Sequence, residues 1–207
     1  MKIDPHEQGS EGWIEARLGV PSASCAARIL TPRTRKPSAQ QDAYIAALVA
    51  EHFLRMPCGP DASAFMDRGS SMERDAVAEY EFANNVTTQA VGFCTLDDGS
   101  FGCSPDRLVG SKGLLEVKAL SAANHVAALL GMKDEEHFAQ CQAQLFVTGR
   151  AFVDRTCYSP SLPAHELRIE RDEEWIEAFA DELGRFTARL AEARAKIAAL
   201  MLGQVAA

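Results

Sequence analysis

The chain has 207 residues, of which 47% are hydrophobic and 24% charged, and its formal net charge is −8. This composition is typical of a soluble globular protein that is long enough to bury a core without disulfide or metal support. The negative charge counts against a protein that simply coats nucleic acid, because such proteins are usually basic. The six cysteines include no C-x-x-C pair, which counts against a zinc ribbon or an iron–sulfur cluster and favours reduced, buried thiols.

The hydropathy pattern indicates a protein outside the membrane. Its apolar runs are much shorter than the roughly 20 residues of a membrane-spanning helix. The first residues, MKIDPHEQGSEGW, are polar and lack an apolar signal segment. We therefore expect a cytoplasmic protein with no membrane partner, in which residues 1–207 form a single domain.

The first part of the chain has helical patterns. We predict helices over Trp13–Leu18, over the segment ASCAARIL with Ser22 or Ser24 as its cap, after a capping box of Ser38 and Gln41, and over Phe65–Ala83. A basic loop, Thr31–Pro37, separates the second of these helices from the third.

From Val86 onward the pattern changes to that of strands and turns. Strands are predicted over Thr87–Thr95, Gly102–Ser104, Arg107–Val109 and Leu114–Ala119, with turns at Asp98-Gly99 and Gly110–Gly113. The remaining predicted elements are helices over Ala122–Leu130 and Glu135–Phe146, strands over Ala151–Tyr158 and Glu166–Glu170, and a last helix that Asp172 opens and that runs from Trp175 to about Leu202. This order predicts a mixed α/β (α+β) domain in which helices flank a central mixed β-sheet.

The most informative stretch runs from Ser104 to Lys118, SPDRLVGSKGLLEVK. Glu116 and Lys118 are two residues apart in a predicted strand, so their side chains point to the same face. A hairpin that turns at Gly110–Gly113 would bring Asp106 alongside Glu116. Two carboxylates and an ammonium group in one patch suit a hard divalent cation and phosphodiester hydrolysis.

The alternative is a solvated edge strand in which Glu116 and Lys118 form an ion pair and Asp106 caps a turn. A D-x(n)-E-x-K pattern is loose, and chance matches to it are common. The context favours a metal site, because the segment Leu114–Leu120 is otherwise apolar and typical of a buried central strand. Charges on a buried strand are costly unless they are paired or bind a metal.

Three further segments accompany this motif: WIEARLGVPSAS (Trp13–Ser24), RGSSMERDAVAEYEF (Arg68–Phe82) and AQCQAQLFVTGR (Ala139–Arg150). Together with SPDRLVG and LLEVK, in this order, they resemble the phage lambda exonuclease family, which includes the YqaJ-type viral recombinases and alkaline exonucleases. The resemblance covers nearly the whole chain from Trp13. It implies a single nuclease domain with the restriction-endonuclease-like PD-(D/E)xK fold, in which Pro105-Asp106 is the first part of the motif.

The resemblance also implies a metal centre. Asp106, Glu116 and the backbone carbonyl of Val117 match the family's ligands for Mg²⁺, which Mn²⁺ replaces, with two ions expected. Lys118 matches the lysine that positions and activates the attacking water. Glu73 matches a helix-borne glutamate that supports a metal or its water; without the resemblance, Glu73 would be a solvent-facing helix residue.

A glutamine is implied as the last catalytic group. Gln142 matches the family's glutamine on the nucleophile side of the site. Gln140 and Gln144 lie two positions away on either side, so either of them is an alternative.

The resemblance further implies a pocket for the 5′-phosphate of a DNA end. Arg17 and Ser24 match its ligands, Ser22 is a weaker candidate, and Arg33 resembles a further basic contact with DNA. A guanidinium group and a hydroxyl at a helix start both favour a phosphate dianion. The alternative for Arg17 is an ordinary surface arginine, and for Ser24 an ordinary N-cap.

The implied function is that of a Mg²⁺-dependent 5′→3′ exonuclease, which degrades one strand of linear double-stranded DNA to mononucleotides and leaves a 3′ overhang. The implied partners are DNA with a 5′-phosphate, a single-strand annealing protein and two further copies of the chain in a ring-shaped trimer. One alternative is another nuclease of the same fold, either an endonuclease or an enzyme with a four-cysteine cluster, for which this chain has no plausible cysteine set. The other is a DNA-end-binding module without catalysis.

Overall fold

The computed structural model describes residues 1–58, 71–132 and 137–203. Its helices are α1 (Glu11–Arg17), a 3₁₀ helix (Ala23–Arg28), α2 (Gln41–Leu54), α3 (Ser71–Asn84), α4 (Ala122–Leu129), α5 (Phe138–Thr148) and α6 (Glu173–Met201). Its strands are β1 (Lys2–Ile3), β2 (Thr88–Gln89), β3 (Cys94–Thr95), β4 (Gly102–Cys103), β5 (Arg107–Val109), β6 (Gly113–Ala119), β7 (Phe152–Tyr158) and β8 (His165–Glu170).

Five strands form the central sheet, in the order β2-β5-β6-β7-β8. Neighbouring strands are antiparallel, except for β6 and β7, which are parallel. A parallel pair requires a crossover connection, and the chain segment with α4 and α5 provides it. A small antiparallel sheet is formed by β1, β3 and β4. The predicted fold class, a central mixed sheet flanked by helices, is confirmed.

The central strand β6 is covered on both faces, because its successive side chains point in opposite directions. On one face, Leu115 and Val117 pack with Ala76 and Tyr80 of α3. On the other face, Leu114 belongs to the larger core, which includes residues of α2, α5 and α6. Glu116 and Lys118 therefore lie on a strand that is buried as the sequence predicted.

The single strand predicted over Thr87–Thr95 is wrong. The structure has β2 and β3 in this region, and they belong to different sheets. Between them, Gly92 lies so close to the N-terminal segment that a Cβ atom would be 2.3 Å from the carbonyl oxygen of Asp4. The backbone N–H of Asp4 donates to the carbonyl of Phe93 at 2.8 Å. Pairing with a distant part of the chain thus divides the predicted strand.

The capping predictions near α2 are also wrong. Gln40 occupies the N-cap of α2, and Ser38 Oγ only accepts the backbone N–H of Gln40, at 3.3 Å. The side-chain amide of Gln41 donates to the carbonyl of Ile29 at 2.8 Å, so it does not complete a capping box. Of the segment ASCAARIL, Ala23–Arg28 form the 3₁₀ helix; Ser22 occupies its N-cap position as one of the two predicted caps, but makes no side-chain capping bond.

Other boundaries differ by a few residues. Helix α1 begins two residues earlier than predicted, because Ser10 Oγ accepts the backbone N–H of Trp13 at 3.3 Å. Asp172 is the N-cap of α6 as predicted, and its Oδ1 accepts the N–H of Trp175 at 2.9 Å. The predicted helical residues 65–70 and 135–136 lie outside the described residues.

The expected reduced, buried thiols have a structural counterpart. All six cysteines are free, and four of them are buried. Within the described ranges, no helix is long and apolar enough to cross a membrane.

Candidate active site

The β5–β6 hairpin brings the two predicted carboxylates together. Arg107 is paired with Leu115 in the antiparallel ladder, so the preceding residue, Asp106, lies opposite Glu116 and on the same face. The backbone N–H of Val117 donates to Asp106 Oδ2 at 2.6 Å. Both carboxylates are buried, with Asp106 6% exposed and Glu116 1% exposed. The hairpin that the sequence predicted therefore builds the acidic pair.

The Glu116 carboxylate is held from both sides by hydrogen-bond donors. Lys118 Nζ lies 2.8 Å from Glu116 Oε1, and Gln140 Nε2 donates to the same oxygen at 2.6 Å. Gln144 Nε2 donates to Glu116 Oε2 at 2.6 Å. Lys118 also donates to Gln140 Oε1 at 3.2 Å. These bonds compensate for the cost of burying a carboxylate and fix its orientation.

Gln142, the glutamine predicted for the site, points away from it. Its Nε2 donates to the carbonyl of Glu170 at 2.7 Å, and its Oε1 accepts the backbone N–H of Asp172 at 2.9 Å. Gln142 thus joins α5 to the start of α6. Gln140 and Gln144 are one helical turn apart and share a face, whereas position 142 is rotated by about 200° from position 140. Of the three glutamines, the structure thus brings Gln140 and Gln144 to Glu116, and these are the two alternatives to the predicted Gln142.

Glu73 lies in the first turn of α3, on the other side of the sheet from α5. Its Oε1 is 3.9 Å from Arg107 Nη1, and the same guanidinium nitrogen donates to the backbone carbonyl of Asp106 at 2.7 Å. Arg107 therefore connects Glu73 to the strand end that carries Asp106. The structure places Glu73 beside Arg107, an arginine that sequence reasoning did not identify and that contacts the backbone of Asp106.

Burial and the charged groups of the site shift the pKa of the Cys141 thiol. Burial is the main cause that raises the pKa of Cys141, and the neighbouring Glu116 carboxylate raises it further, to about 12. Lys118 and Arg155 act in the opposite direction. Cys141 is consequently a neutral thiol at physiological pH, and it makes no charge contribution to the site.

A second group of predicted residues lies around the end of α1. The buried guanidinium of Arg17 lies 4.4 Å from the ring centroid of Trp13, and its Nη1 donates to Ser104 Oγ at 2.8 Å. Ser22 Oγ and Ser24 Oγ are 3.2 Å apart. Arg17, Ser22, Ser24 and Ser104 line one small pocket. The residues that line it are Arg17, Ser22, Ala23, Ser24, Cys103, Ser104, Gln140 and Gln144.

This pocket adjoins the acidic pair, because Gln140 and Gln144 line it and also donate to Glu116. Ser104 is a pocket residue that the sequence reasoning missed, although it begins the SPDRLVG segment. Arg33 lies in the loop before α2 and is not among the residues that line the pocket. The structure therefore brings Arg17, Ser22 and Ser24 together and leaves Arg33 apart.

The acidic pair fits a hard divalent cation. Within the described ranges, no three His, Cys, Asp or Glu side chains come together as a metal site, so most of a cation's shell would be water. Mg²⁺ prefers oxygen ligands and keeps several waters, which suits two carboxylates and the backbone carbonyl of Val117. The buried Oε1 of Gln144 has no hydrogen-bond partner among the described residues, and it is an acceptor that a water ligand would satisfy.

Comparison with known proteins identifies the family of this chain and structures that it resembles. A family model described as the YqaJ-like viral recombinase domain matches residues 12–151. The chain is similar to a solved alkaline exonuclease, LHK-Exo from Laribacter hongkongensis, with 29% identity and a TM-score of 0.81. It is also similar to the complex of LHK-Exo with dAMP, with 31% identity and a TM-score of 0.79. Both comparisons cover 95% of this chain and 100% of the other chain.

A phage-related exonuclease from Haemophilus somnus 129PT shares the fold, with a TM-score of 0.66 at 11% identity over 86% of this chain and 96% of the other. No curated protein sequence matches the chain significantly. The family match covers most of the chain, and the likeness to LHK-Exo covers 95% of it. The chain belongs to the family of YqaJ-like viral recombinase domains.

Proposed function

We propose that this protein is a Mg²⁺-dependent 5′→3′ exonuclease that degrades one strand of linear double-stranded DNA to mononucleotides. The observation that carries the proposal is the buried Glu116, which lies opposite Asp106 and within 2.8 Å of Lys118. The family membership of the chain and its likeness to an alkaline exonuclease support the same reaction.

In this proposal, Asp106, Glu116 and the carbonyl of Val117 hold the cation. When bound, Mg²⁺ supplies Lewis-acid stabilisation of the negative charge that develops on the scissile phosphate. Water attacks phosphorus in line with the 3′-oxygen, which leaves and takes up a proton.

Lys118 is placed to act on the attacking water. Its side chain is 18% exposed and is held by Glu116 and Gln140. A fixed ammonium group at this position orients the water and offsets the charge of the pentavalent phosphate. Gln140 and Gln144 keep the Glu116 carboxylate oriented toward the cation.

The Arg17 pocket accounts for attack at the end of the strand. A buried guanidinium and several hydroxyls suit a terminal 5′-phosphate dianion. Because Gln140 and Gln144 belong both to this pocket and to the Glu116 network, a phosphate bound there would lie next to the cleavage site. This adjacency favours release of one nucleotide at a time from the 5′ end. The trimer and the annealing protein that the family resemblance implies stay predictions.

A comparison of labelled DNA substrates tests the proposal. Linear duplexes carry a label at the 5′ or the 3′ end, with or without a 5′-phosphate, and are incubated with Mg²⁺, Mn²⁺ or EDTA beside closed circles. We expect metal-dependent release of the 5′ label as a mononucleotide, faster with the 5′-phosphate, and no cutting of circles.

Other outcomes would replace the proposal. Cutting of closed circles would establish an endonuclease. Tight binding of DNA ends with no cleavage under either metal would establish an end-binding module.

A further inference from the structure

A tight turn at Gly19 joins the two halves of the phosphate pocket. Arg17 precedes the turn, whereas Ser22 and Ser24 follow it. The backbone N–H of Val20 donates to the carbonyl of Arg17 at 2.9 Å, and Gly19 has a φ of +75°. The conformation of this turn therefore sets the position of the guanidinium group relative to the hydroxyls.

Two charged side chains from other helices hold the turn at Gly19. Glu51 of α2 is only 8% exposed, and its Oε2 accepts the backbone N–H of Gly19 at 3.0 Å. Arg194 of α6 donates to the carbonyl oxygen of the same residue. The other oxygen of Glu51, Oε1, accepts the backbone N–H of Cys58 at 3.1 Å.

The surroundings leave little room for the turn to move. A Cβ atom on Gly19 would lie 3.1 Å from Arg194 Nη2 and 3.1 Å from the carbonyl oxygen of Leu48. Both backbone polar groups of Gly19 thus have charged partners, which make stronger hydrogen bonds than neutral ones. Holding the two peptide units on either side of the Gly19 Cα with charged partners is more than the burial of α1 requires, since Trp13 and the buried part of Arg17 already anchor that helix.

We propose that Glu51 and Arg194 are positioning residues for end recognition, which act through Gly19 on Arg17, Ser22 and Ser24. The inference rests on the proposed function, because it concerns the same phosphate pocket. Neither residue touches the DNA. Together they fix the distance between the guanidinium and the hydroxyls, so that a terminal phosphate meets all of its ligands at once. A misplacement of about 1 Å is enough to cost such a site a large factor in rate.

The test uses Glu51→Gln and Arg194→Met in the full-length protein. In Glu51→Gln, the backbone N–H of either Gly19 or Cys58 would face an amide NH₂ instead of a carboxylate oxygen. We expect the KM for 5′-phosphorylated duplex to rise about tenfold in each variant, while kcat and the kinetics on 5′-hydroxyl duplex stay the same. Arg194→Lys keeps a donor and should recover part of the preference for phosphorylated ends.

Arg189→Met is the matched control. Arg189 also reaches from α6 to α2, where its Nη1 donates to Gln41 Oε1 at 2.7 Å, but it does not contact the Gly19 turn. This variant should keep the wild-type ratio of kcat/KM on 5′-phosphorylated duplex to kcat/KM on 5′-hydroxyl duplex. Thermal unfolding of all variants separates loss of fold from loss of positioning, and if Glu51→Gln does not fold, Arg194→Met decides.

The inference would be overturned if Glu51→Gln and Arg194→Met lost activity equally on 5′-phosphorylated and 5′-hydroxyl duplexes, or if they kept the wild-type activity on both. If Arg17→Lys abolishes the phosphate preference while Glu51→Gln and Arg194→Met keep it, the phosphate pocket stands and the positioning role fails. A wild-type enzyme with no preference for phosphorylated ends would remove the pocket from the proposed function, and the inference with it.

Discussion

Lys118 shows what a single side chain contributes to the site. An ammonium group held at 2.8 Å from a buried carboxylate is in a fixed position, and its charge is only partly screened by solvent. Lys118→Met should lower the rate of cleavage by about 100-fold or more, a loss of the size seen when a preorganised charged group is removed. DNA binding in EDTA should change little.

The exposed Lys112 in the β5–β6 turn provides a matched control. Lys112→Met removes the same charge from the same hairpin and should keep the wild-type rate. Wild-type cleavage by Lys118→Met would remove Lys118 from the proposed reaction.

Cys141 gives a prediction about alkaline pH. Its pKa rises from 9.0 to about 12 in the folded protein, mainly through burial. Above pH 9 the unfolded chain loses this thiol proton while the folded protein keeps it, so the free energy of unfolding falls as pH rises from 9 toward 12. The loss approaches about 1.4 kcal/mol per pH unit for one such group.

Urea unfolding at pH 8, 9 and 10 measures this effect. Cys141→Ala should show a shallower decline with pH than the wild type. Parallel declines for the two proteins would show that Cys141 does not carry the effect.

The three glutamines of α5 show what the sequence cannot predict about single side chains. The helical period groups Gln140 with Gln144 and separates both from Gln142. The sequence does not say which of the two faces meets β6, because all three side chains are chemically alike. That choice depends on the rotation of α5 against the sheet, and it is fixed by distant contacts such as that of Gln142 with the start of α6.

Helix α3 is tied to the central sheet by a buried polar contact. Tyr80 OH donates to Asp154 Oδ2 at 2.6 Å, and Arg168 of β8 donates to both oxygens of the same carboxylate. Tyr80→Phe should lower the free energy of unfolding by about 1–2 kcal/mol, because a buried carboxylate loses one hydrogen bond and keeps the others.

Denaturant unfolding of Tyr80→Phe and wild type measures this difference. Phe82 of the same helix is 90% exposed, so Phe82→Tyr serves as a control that should leave stability nearly unchanged. Equal stability of Tyr80→Phe and the wild type would show that the contact does not tie α3 to the sheet.

Elements that depend on local pattern were predicted well, whereas those that depend on distant pairing were not. The apolar run and turn residues around Gly110–Gly113 predict both β5 and β6, and β5 has the predicted bounds. The predicted strand over Thr87–Thr95 is divided, because the N-terminal segment adds β1 to β3 and packs against Gly92. Nothing in the sequence of residues 87–95 indicates that the N-terminal segment pairs with them.

The whole molecule combines a net negative charge with a proposed DNA substrate. Net charge describes solubility and long-range steering, whereas binding depends on where the charges lie. Arg17, Arg107 and Lys118 are basic groups close to the proposed chemistry, and each of them contacts a neighbour in the site or its pocket. The order of motifs along the chain was sufficient to predict the family and the fold class. The adjacency of the Arg17 pocket, proposed to bind the 5′-phosphate, and the acidic pair appears only when α1, β4 and α5 meet.

The central claim is that Asp106 and Glu116 form a metal-dependent nuclease centre. The most direct test measures cleavage and binding of a 5′-phosphorylated linear duplex by wild type, Glu116→Gln and the exposed control Glu79→Gln, in Mg²⁺ and in EDTA. We predict that Glu116→Gln lowers cleavage by at least about 100-fold, binds DNA in EDTA like the wild type and loses Mn²⁺ binding in calorimetry, while Glu79→Gln behaves as the wild type. Cleavage by Glu116→Gln at the wild-type rate would contradict the account.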